Sequence, residues 1–190
     1  MKKIILISAM SSVLLLQGCA AALVAGAAGT AVVANDRRTV GAYIDDESIE
    51  LKINGLINSD ENLRKNTHVS AVSVNGQVLL VGQAPGEQFR SAIVDKVKAV
   101  PGVRKIHNQI RLMTPTSLGT RAHDSWLTSV VKAKLMASKV DASAIKVVTE
   151  NGEVYLMGLV NQHEGAEAAQ VASNVSGVTR VVKVFEYRQS

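Results

Sequence analysis

The second half of this chain repeats the first, which confines the fold to two small copies of one unit. Asn75-Gly76-Gln77-Val78-Leu79-Leu80-Val81-Gly82 returns as Asn151-Gly152-Glu153-Val154-Tyr155-Leu156-Met157-Gly158. Pro101-Gly102-Val103-Arg104-Lys105-Ile106 returns as Ser176-Gly177-Val178-Thr179-Arg180-Val181. Ahead of each block, Ile49, Ile53 and Ile57 match Leu127, Val131 and Leu135, spaced i, i+4, i+8 along one helical face. The offset between copies drifts only from 78 residues (Ile49 to Leu127) to 75 (Pro101 to Ser176), so loops differ and elements do not.

Each copy reads in the same order. A helix opens it, over 46–59 or 124–138, with Asp46 or Asp124 near its start as the expected cap. A strand follows at 68–74 or 144–150. Asn-Gly then predicts a tight hairpin, because both residues tolerate the positive φ of a type I′ turn. The next strand, 77–83 or 153–160, leads to a second helix near 86–99 or 162–175 and a last strand over 103–112 or 178–187. The order α-β-β-α-β, a hairpin plus a crossover helix, gives an α+β unit with a three-stranded mixed sheet covered by two helices. This order, with Gly82 and Gly158 closing the central strands, resembles the BON domain. The boundaries read as 45–113 and 124–190, with a linker at 114–123 containing Pro115 and Gly119. The resemblance implies phospholipid binding.

Lys2-Lys3 and the apolar run from Ile4 to Leu16 form a secretory signal over 1–18, too short to span a ~30 Å hydrocarbon core. The only cysteine, Cys19, ends Leu16-Gln17-Gly18-Cys19. That pattern resembles the bacterial lipobox, whose cysteine thiol receives a diacylglycerol and whose amine takes a further acyl chain; an ordinary signal with a chance cysteine is the other reading. At about 0.8 kcal/mol per buried methylene, several long chains anchor a protein firmly. Residues 19–44 then read as the acylated cysteine and an Ala/Gly-rich tether. Ala20, where aspartate would signal inner-membrane retention, implies delivery to the outer membrane. A lipobox followed by two BON domains resembles periplasm-facing outer-membrane lipoproteins, which implies a role in outer-membrane integrity and at the division site.

Several chemistries are set aside. With Cys19 acylated no thiol remains for a disulfide or a metal site. Formal charge falls from +5 to +3 once Lys2 and Lys3 leave with the signal, far from the basic stripe of a nucleic-acid binder. Gly26-Ala27-Ala28-Gly29 lacks the rest of a phosphate loop. His123, Asp124 and Ser125 are adjacent along one turn rather than convergent, and His68, His107, His123 and His163 lack metal-ligand spacing. Asp45-Asp46-Glu47 reads as negative charge at a helix start. No catalytic residue, cofactor or metal is expected.

Divergence between the copies points to the site. Over 47–62, Glu47, Glu50, Asp60 and Glu61 against Lys52 give −3; over 125–140, Lys132, Lys134 and Lys139 give +3. At about 100° per residue, Trp126, Val130, Ala133 and Ala137 form a row beside the core row. The equivalent row in copy one is Ser48, Lys52, Gly55 and Ser59. Trp favours the water–lipid boundary, and each basic residue near an anionic membrane adds about 1 kcal/mol. The candidate lipid-binding residues are therefore Trp126, Leu127, Val130, Lys132, Ala133, Lys134 and Ala137, facing phosphatidylglycerol or cardiolipin. Two alternatives stay open. Trp126 packs beneath its own second helix or against copy one; or the chain is an adaptor whose sheets or acidic first helix dock an envelope-assembly partner.

Overall fold

The computed structural model describes residues 39–188, so the signal sequence, Cys19 and most of the tether lie outside the described residues. Helix α1 (Val40–Ser59) starts ahead of its expected position, because Thr39 and not Asp46 is the cap: its hydroxyl accepts the Ala42 N–H at 3.1 Å. A short helix α2 (Glu61–Asn66), absent from the sequence reading, is capped by Asp60. Strands β1 (His68–Val74) and β2 (Gln77–Ala84), helix α3 (Glu87–Lys98) and strand β3 (Lys105–Leu112) complete the first unit. The second runs α4 (Leu118–Met136), a 3-10 turn at Ala142–Ala144, β4 (Ile145–Glu150), β5 (Glu153–Val160), α5 (Gln162–Ser173) and β6 (Arg180–Tyr187). The segment read as a linker is thus helical from Leu118, with the Ser117 hydroxyl accepting the Thr120 N–H.

Each sheet is three-stranded and mixed, ordered β1-β2-β3 and β4-β5-β6. The hairpins are antiparallel and the crossovers parallel, as the α-β-β-α-β order requires. Both hairpins turn on Asn-Gly with positive φ: 52° and 71° at Asn75 and Gly76, 49° and 75° at Asn151 and Gly152.

The aspartates expected as caps have a different task. Asp46, 1% exposed, lies inside α1 and accepts from the Asn75 N–H (2.7 Å), the Gly76 N–H (2.9 Å) and the Ser73 hydroxyl (2.7 Å). Asp124, 4% exposed, holds the Asn151 and Gly152 N–H groups at 2.8 and 2.9 Å. A type I′ turn leaves its N–H groups pointing away from the ladder, and a buried donor needs an acceptor. The helix supplies one carboxylate for two of them and so ties α1 and α4 to their hairpins.

The central strands are apolar on both faces. Val78 and Leu80 join Ile49, Ile53, Ile57, Ile93 and Val97 in a core between sheet and helices. Val154 and Leu156 do the same with Leu127, Val131, Leu135, Ala168 and Ala172. The opposite faces meet each other: Val74, Leu79 and Val81 of the first unit pack on Tyr155, Met157 and Val184 of the second. The two sheets therefore lie back to back, with the helices outside.

Polar groups rim this joint. Arg111 of β3 reaches Glu153 of β5 at 2.6 and 2.8 Å, and Glu153 also accepts from Arg180 (2.7 Å) and Tyr155 (2.8 Å). Burial alone would raise the Glu153 pKa, but these hydrogen bonds outweigh it and hold it at about 2. Glu186 accepts from Asn75 and Gln77, and Gln83 donates to Glu150.

Gly82 and Gly158 serve the backbone. A Cβ on Gly82, at φ 127°, would stand 1.9 Å from the His68 carbonyl oxygen, and one on Gly158 would stand 2.2 Å from that of Ala144. The glycines let the edge strand start close against the central one.

Two stability predictions follow from these contacts. Asp124→Ala should lower unfolding free energy by about 3 kcal/mol, since it strands two inward-facing N–H groups; Asp46→Ala, which also strands Ser73, should lower it at least as much. Urea midpoints test this, and changes under about 0.5 kcal/mol would remove the turn-holding role. For Glu153 the folded-state pKa is depressed, so its stabilisation is full above its ordinary value near 4.5 and disappears as pH falls toward 2. Glu153→Gln should be less stable than the native chain by on the order of 2 kcal/mol at neutral pH, allowing for screening of the half-exposed arginines. The gap should close by pH 2, and an equal gap at both pH values would contradict the assignment.

Candidate functional site

The inner face of α4 is set by its core row, and the outer face follows from that. Leu127, Val131 and Leu135 are essentially fully buried. Leu127, counted in the sequence reading among the lipid-contacting residues, belongs to this core and is not on the outer face. Trp126 is 55% exposed, so it packs neither beneath α5 nor against the first unit; its ring stacks on His123, centroids 5.4 Å apart. Ala133 and Ala137 are exposed and Val130 is half-buried at the edge. Lys132 and Lys134 are exposed, and among the described residues neither they nor Lys139 has an ion-pair partner.

The outer face is longer than the sequence reading had it. Leu118 is 80% exposed and Met136 75%. At 100° per residue, Leu118, Ala122, Ser129, Ala133 and Met136 fall within about 60° of one line opposite the core row. Trp126 and Ala137 lie next to that line. Lys132 borders it on one side and Lys134 on the other. Leu118 was assigned to the linker and so escaped the periodicity.

Helix α1 presents a different surface. Ser48, Lys52, Gly55 and Ser59 are polar or small as read, but Val40 (59% exposed), Ile44 (61%) and Leu51 (75%) show an apolar line beside them. Its acidic groups are largely engaged. Lys146 of β4 donates to Glu50 at 2.6 Å and to Glu47 at 3.3 Å, so the negative charge of α1 meets a cation of the second unit. Asp60 caps α2 and pairs with Lys96 at 3.2 Å. The cluster Asp45-Asp46-Glu47 thus lies in the second turn of its helix, not at the positive end.

No convergence of catalytic groups appears around His123, Asp124 and Ser125. The Asp124 carboxylate is on the hairpin turn, the Ser125 hydroxyl donates to the Arg121 carbonyl at 3.0 Å, and His123 lies on Trp126. The other histidines are dispersed. His107 bonds Gln77, His163 is exposed on α5, and His68 sits at the start of β1, where burial first and the charge of Arg121 second lower its pKa. A cleft of about 310 Å³ between the units is lined by His68, Arg121, Thr128 and Glu150. There burial raises the Glu150 carboxyl, and the Arg121 Nε is enclosed without a partner. A second open cleft of about 410 Å³ lies between α1 and the turns at Gly76 and Gly102, lined by Asp45, Ser48, Lys52 and Arg104. Among the described residues no helix is long and apolar enough to cross a membrane.

Comparison with known proteins agrees with this architecture. The BON domain matches residues 45–114 and 123–189. The chain is 41% identical over 179 residues to the outer membrane lipoprotein DolP of Haemophilus influenzae, covering 94% of this chain and 93% of that one. It is 39% identical over 155 residues to the 21 kDa hemolysin of Actinobacillus pleuropneumoniae, covering 81% and 80%. Among solved structures, the C-terminal domain of CdsD, a structural protein of the type III secretion system of Chlamydia trachomatis, aligns at 16% identity and a TM-score of 0.31. That alignment covers 76% of this chain and 67% of that one, a likeness too slight to carry functional weight. Matched twice by the domain and nearly end to end by a relative that has it, the chain belongs to the BON-domain family.

Proposed function

We propose that the protein is a non-enzymatic, periplasm-facing outer-membrane lipoprotein, anchored through acylated Cys19, that binds anionic phospholipids with the outer face of α4. By that contact it supports the integrity of the outer membrane, including at division sites. The observation that carries the reading is the state of Trp126: the only tryptophan of the chain is 55% exposed in a line of apolar side chains flanked by two lysines, and among the described residues nothing covers that line or pairs with those lysines. In water such a line is an unsatisfied surface, and monomeric proteins seldom leave one without use. A flat anionic bilayer suits it, taking Trp126, Leu118 and Met136 at the boundary and Lys132 and Lys134 at the headgroups. The relatives named as an outer membrane lipoprotein and a hemolysin carry names that fit a protein acting at membranes.

Exposed apolar groups alone do not separate the two helices, since α1 also shows Val40, Ile44 and Leu51. Charge does. The α1 line runs beside Asp45 and Glu47 with Lys52 as its one base, whereas α4 presents lysines without acids. The adaptor reading, in which the acidic helix docks a basic envelope partner, loses force because Glu47 and Glu50 are already bound to Lys146.

Cys19→Ala should release the chain from the membrane fraction as a soluble protein; retention there after a high-salt wash would contradict acylation. In that acyl-free, full-length background, Trp126→Ala should weaken binding to phosphatidylglycerol vesicles several-fold. Lys132→Glu with Lys134→Glu should weaken it by at least an order of magnitude. Salt should weaken native binding, since exposed charges are screened within ~10 Å at 0.1 M. Lys52→Glu should change little. NMR shifts on adding anionic micelles that fall on 40–59 and spare 118–136 would overturn the assignment to α4.

A further inference from the structure

The cleft of about 310 Å³ between the units opens among His68 of β1, the first turns of α4 and the end of β4. Most of its polar lining is already matched. The Asp124 carboxylate holds the Asn151 and Gly152 N–H groups. The Ser125 hydroxyl donates to the Arg121 carbonyl, and that of Thr128 to the Thr149 hydroxyl at 2.8 Å. Burial and the Arg121 charge keep the His68 imidazole toward its neutral form.

One cation and one anion are left over. Among the described residues the Arg121 guanidinium donates to nothing, and its Nε is enclosed without a partner. Glu150 accepts from Gln83 but has no cation within ion-pair distance, although the charge of Arg121 reaches its carboxyl. A guanidinium and a carboxylate that share a cleft gain most by closing on each other in a bidentate pair. These two stay apart, with the open volume of the cleft beside them. Copy one has Tyr43 at the position of Arg121 and Val74 at that of Glu150, so the pair belongs to the second copy alone.

We infer that this cleft binds a small zwitterion of the phosphoethanolamine type, its phosphate oxygens on the Arg121 guanidinium and its primary ammonium on the Glu150 carboxylate. The planar fork of an arginine matches phosphate oxygens, and an ammonium brings donors to a carboxylate whose lone pairs one Gln83 N–H does not exhaust. Burial raises the Glu150 carboxyl, and an ammonium placed beside it would lower it again. Phosphate is favoured over a carboxylate by the next cation. At about 100° per residue, Arg121, Ser125, Thr128 and Lys132 fall on one flank of α4, and Lys132 has no partner among the described residues. The site lies off the apolar line of α4 and does not depend on the phospholipid reading. Either a free solute or a lipid headgroup carries this chemistry, and the test separates the two.

The isotope-labelled, full-length mature chain with Cys19→Ala is titrated with O-phosphoethanolamine while NMR follows the Arg121 Nε–Hε resonance. That resonance and the amides of Thr128 and Glu150 should move and saturate. Phosphocholine, whose methylated nitrogen cannot donate, and inorganic phosphate, which has no ammonium, should bind about tenfold more weakly. Arg121→Gln should abolish binding, and Glu150→Gln should remove the preference for O-phosphoethanolamine over inorganic phosphate. Vesicles of phosphatidylglycerol with phosphatidylethanolamine that displace the probe, where vesicles with phosphatidylcholine do not, assign the site to a lipid headgroup. A probe that neither displaces assigns it to a free solute, and displacement by both would overturn the zwitterion. Thermal melts identify any variant that has lost its fold, in which case the ranking of the three probes on the native chain decides. Equal affinity for the three, unchanged binding in a folded Arg121→Gln chain, or an unmoved Arg121 resonance would each overturn the inference. None of these outcomes bears on phospholipid binding by the outer face of α4.

Discussion

The architecture depends on the apolar layer between the two sheets. Leu79 and Val81 alternate with Val78 and Leu80 along β2, and Tyr155 and Met157 with Val154 and Leu156 along β5, so neither central strand has a face suited to water. Each such side chain is worth about 2 kcal/mol when covered, and the four on the shared side contribute roughly 8 kcal/mol as an upper figure. Set against a typical net stability of 5–15 kcal/mol, a unit that exposed this face alone would be marginal. Joining the sheets back to back also fixes the rest. The helices face outward, the outer lines of α1 and α4 find no cover among the described residues, and β3 and β5 approach closely enough for Arg111 to reach Glu153.

What could be read in the sequence divides along the range of the forces involved. Element order, hairpins and the inner helix rows were legible because a repeat, an Asn-Gly pair and an i, i+4 spacing are local signals. Central-strand burial on two sides is also written there, in the unbroken run Val78-Leu79-Leu80-Val81, but a two-sided apolar strand does not name what covers its second face. Helix starts were misplaced because Asp46 and Asp124 precede the apolar rows as caps would, while the groups they hold lie 27 to 30 residues away. Nothing local distinguishes the two roles. Helix α2 is a six-residue element held by Asp60, too short for a period to appear. Leu118 and Met136 joined the outer face only once α4 was known to begin at Leu118 and the direction opposite its core row was fixed.

Charge divergence between copies has a physical meaning the linear count conceals. The −3 over residues 47–62 and the +3 over 125–140 suggest two surfaces recruiting opposite partners. In the folded chain Lys146 bridges Glu47 and Glu50, so part of the negative charge is satisfied across the joint. Among the described residues Lys132 and Lys134 of α4 have no such partner. The asymmetry is then one-sided: the first copy's charge helps hold the pair together, while among the described residues Lys132 and Lys134 stay unpaired.

On the proposed reading, a face this modest is sufficient because attachment is not its task. Acyl chains on Cys19 would keep the domain pair at the surface, where the effective concentration of lipid is high and a contact too weak to recruit a free protein is still populated. Under those conditions, small differences in headgroup charge would change occupancy appreciably, whereas a tight face would be saturated on every membrane. Weakness is thus what would let α4 discriminate: on that reading the anchor would hold the protein in place, and Trp126 and the lysines would determine which lipid neighbourhood it settles in.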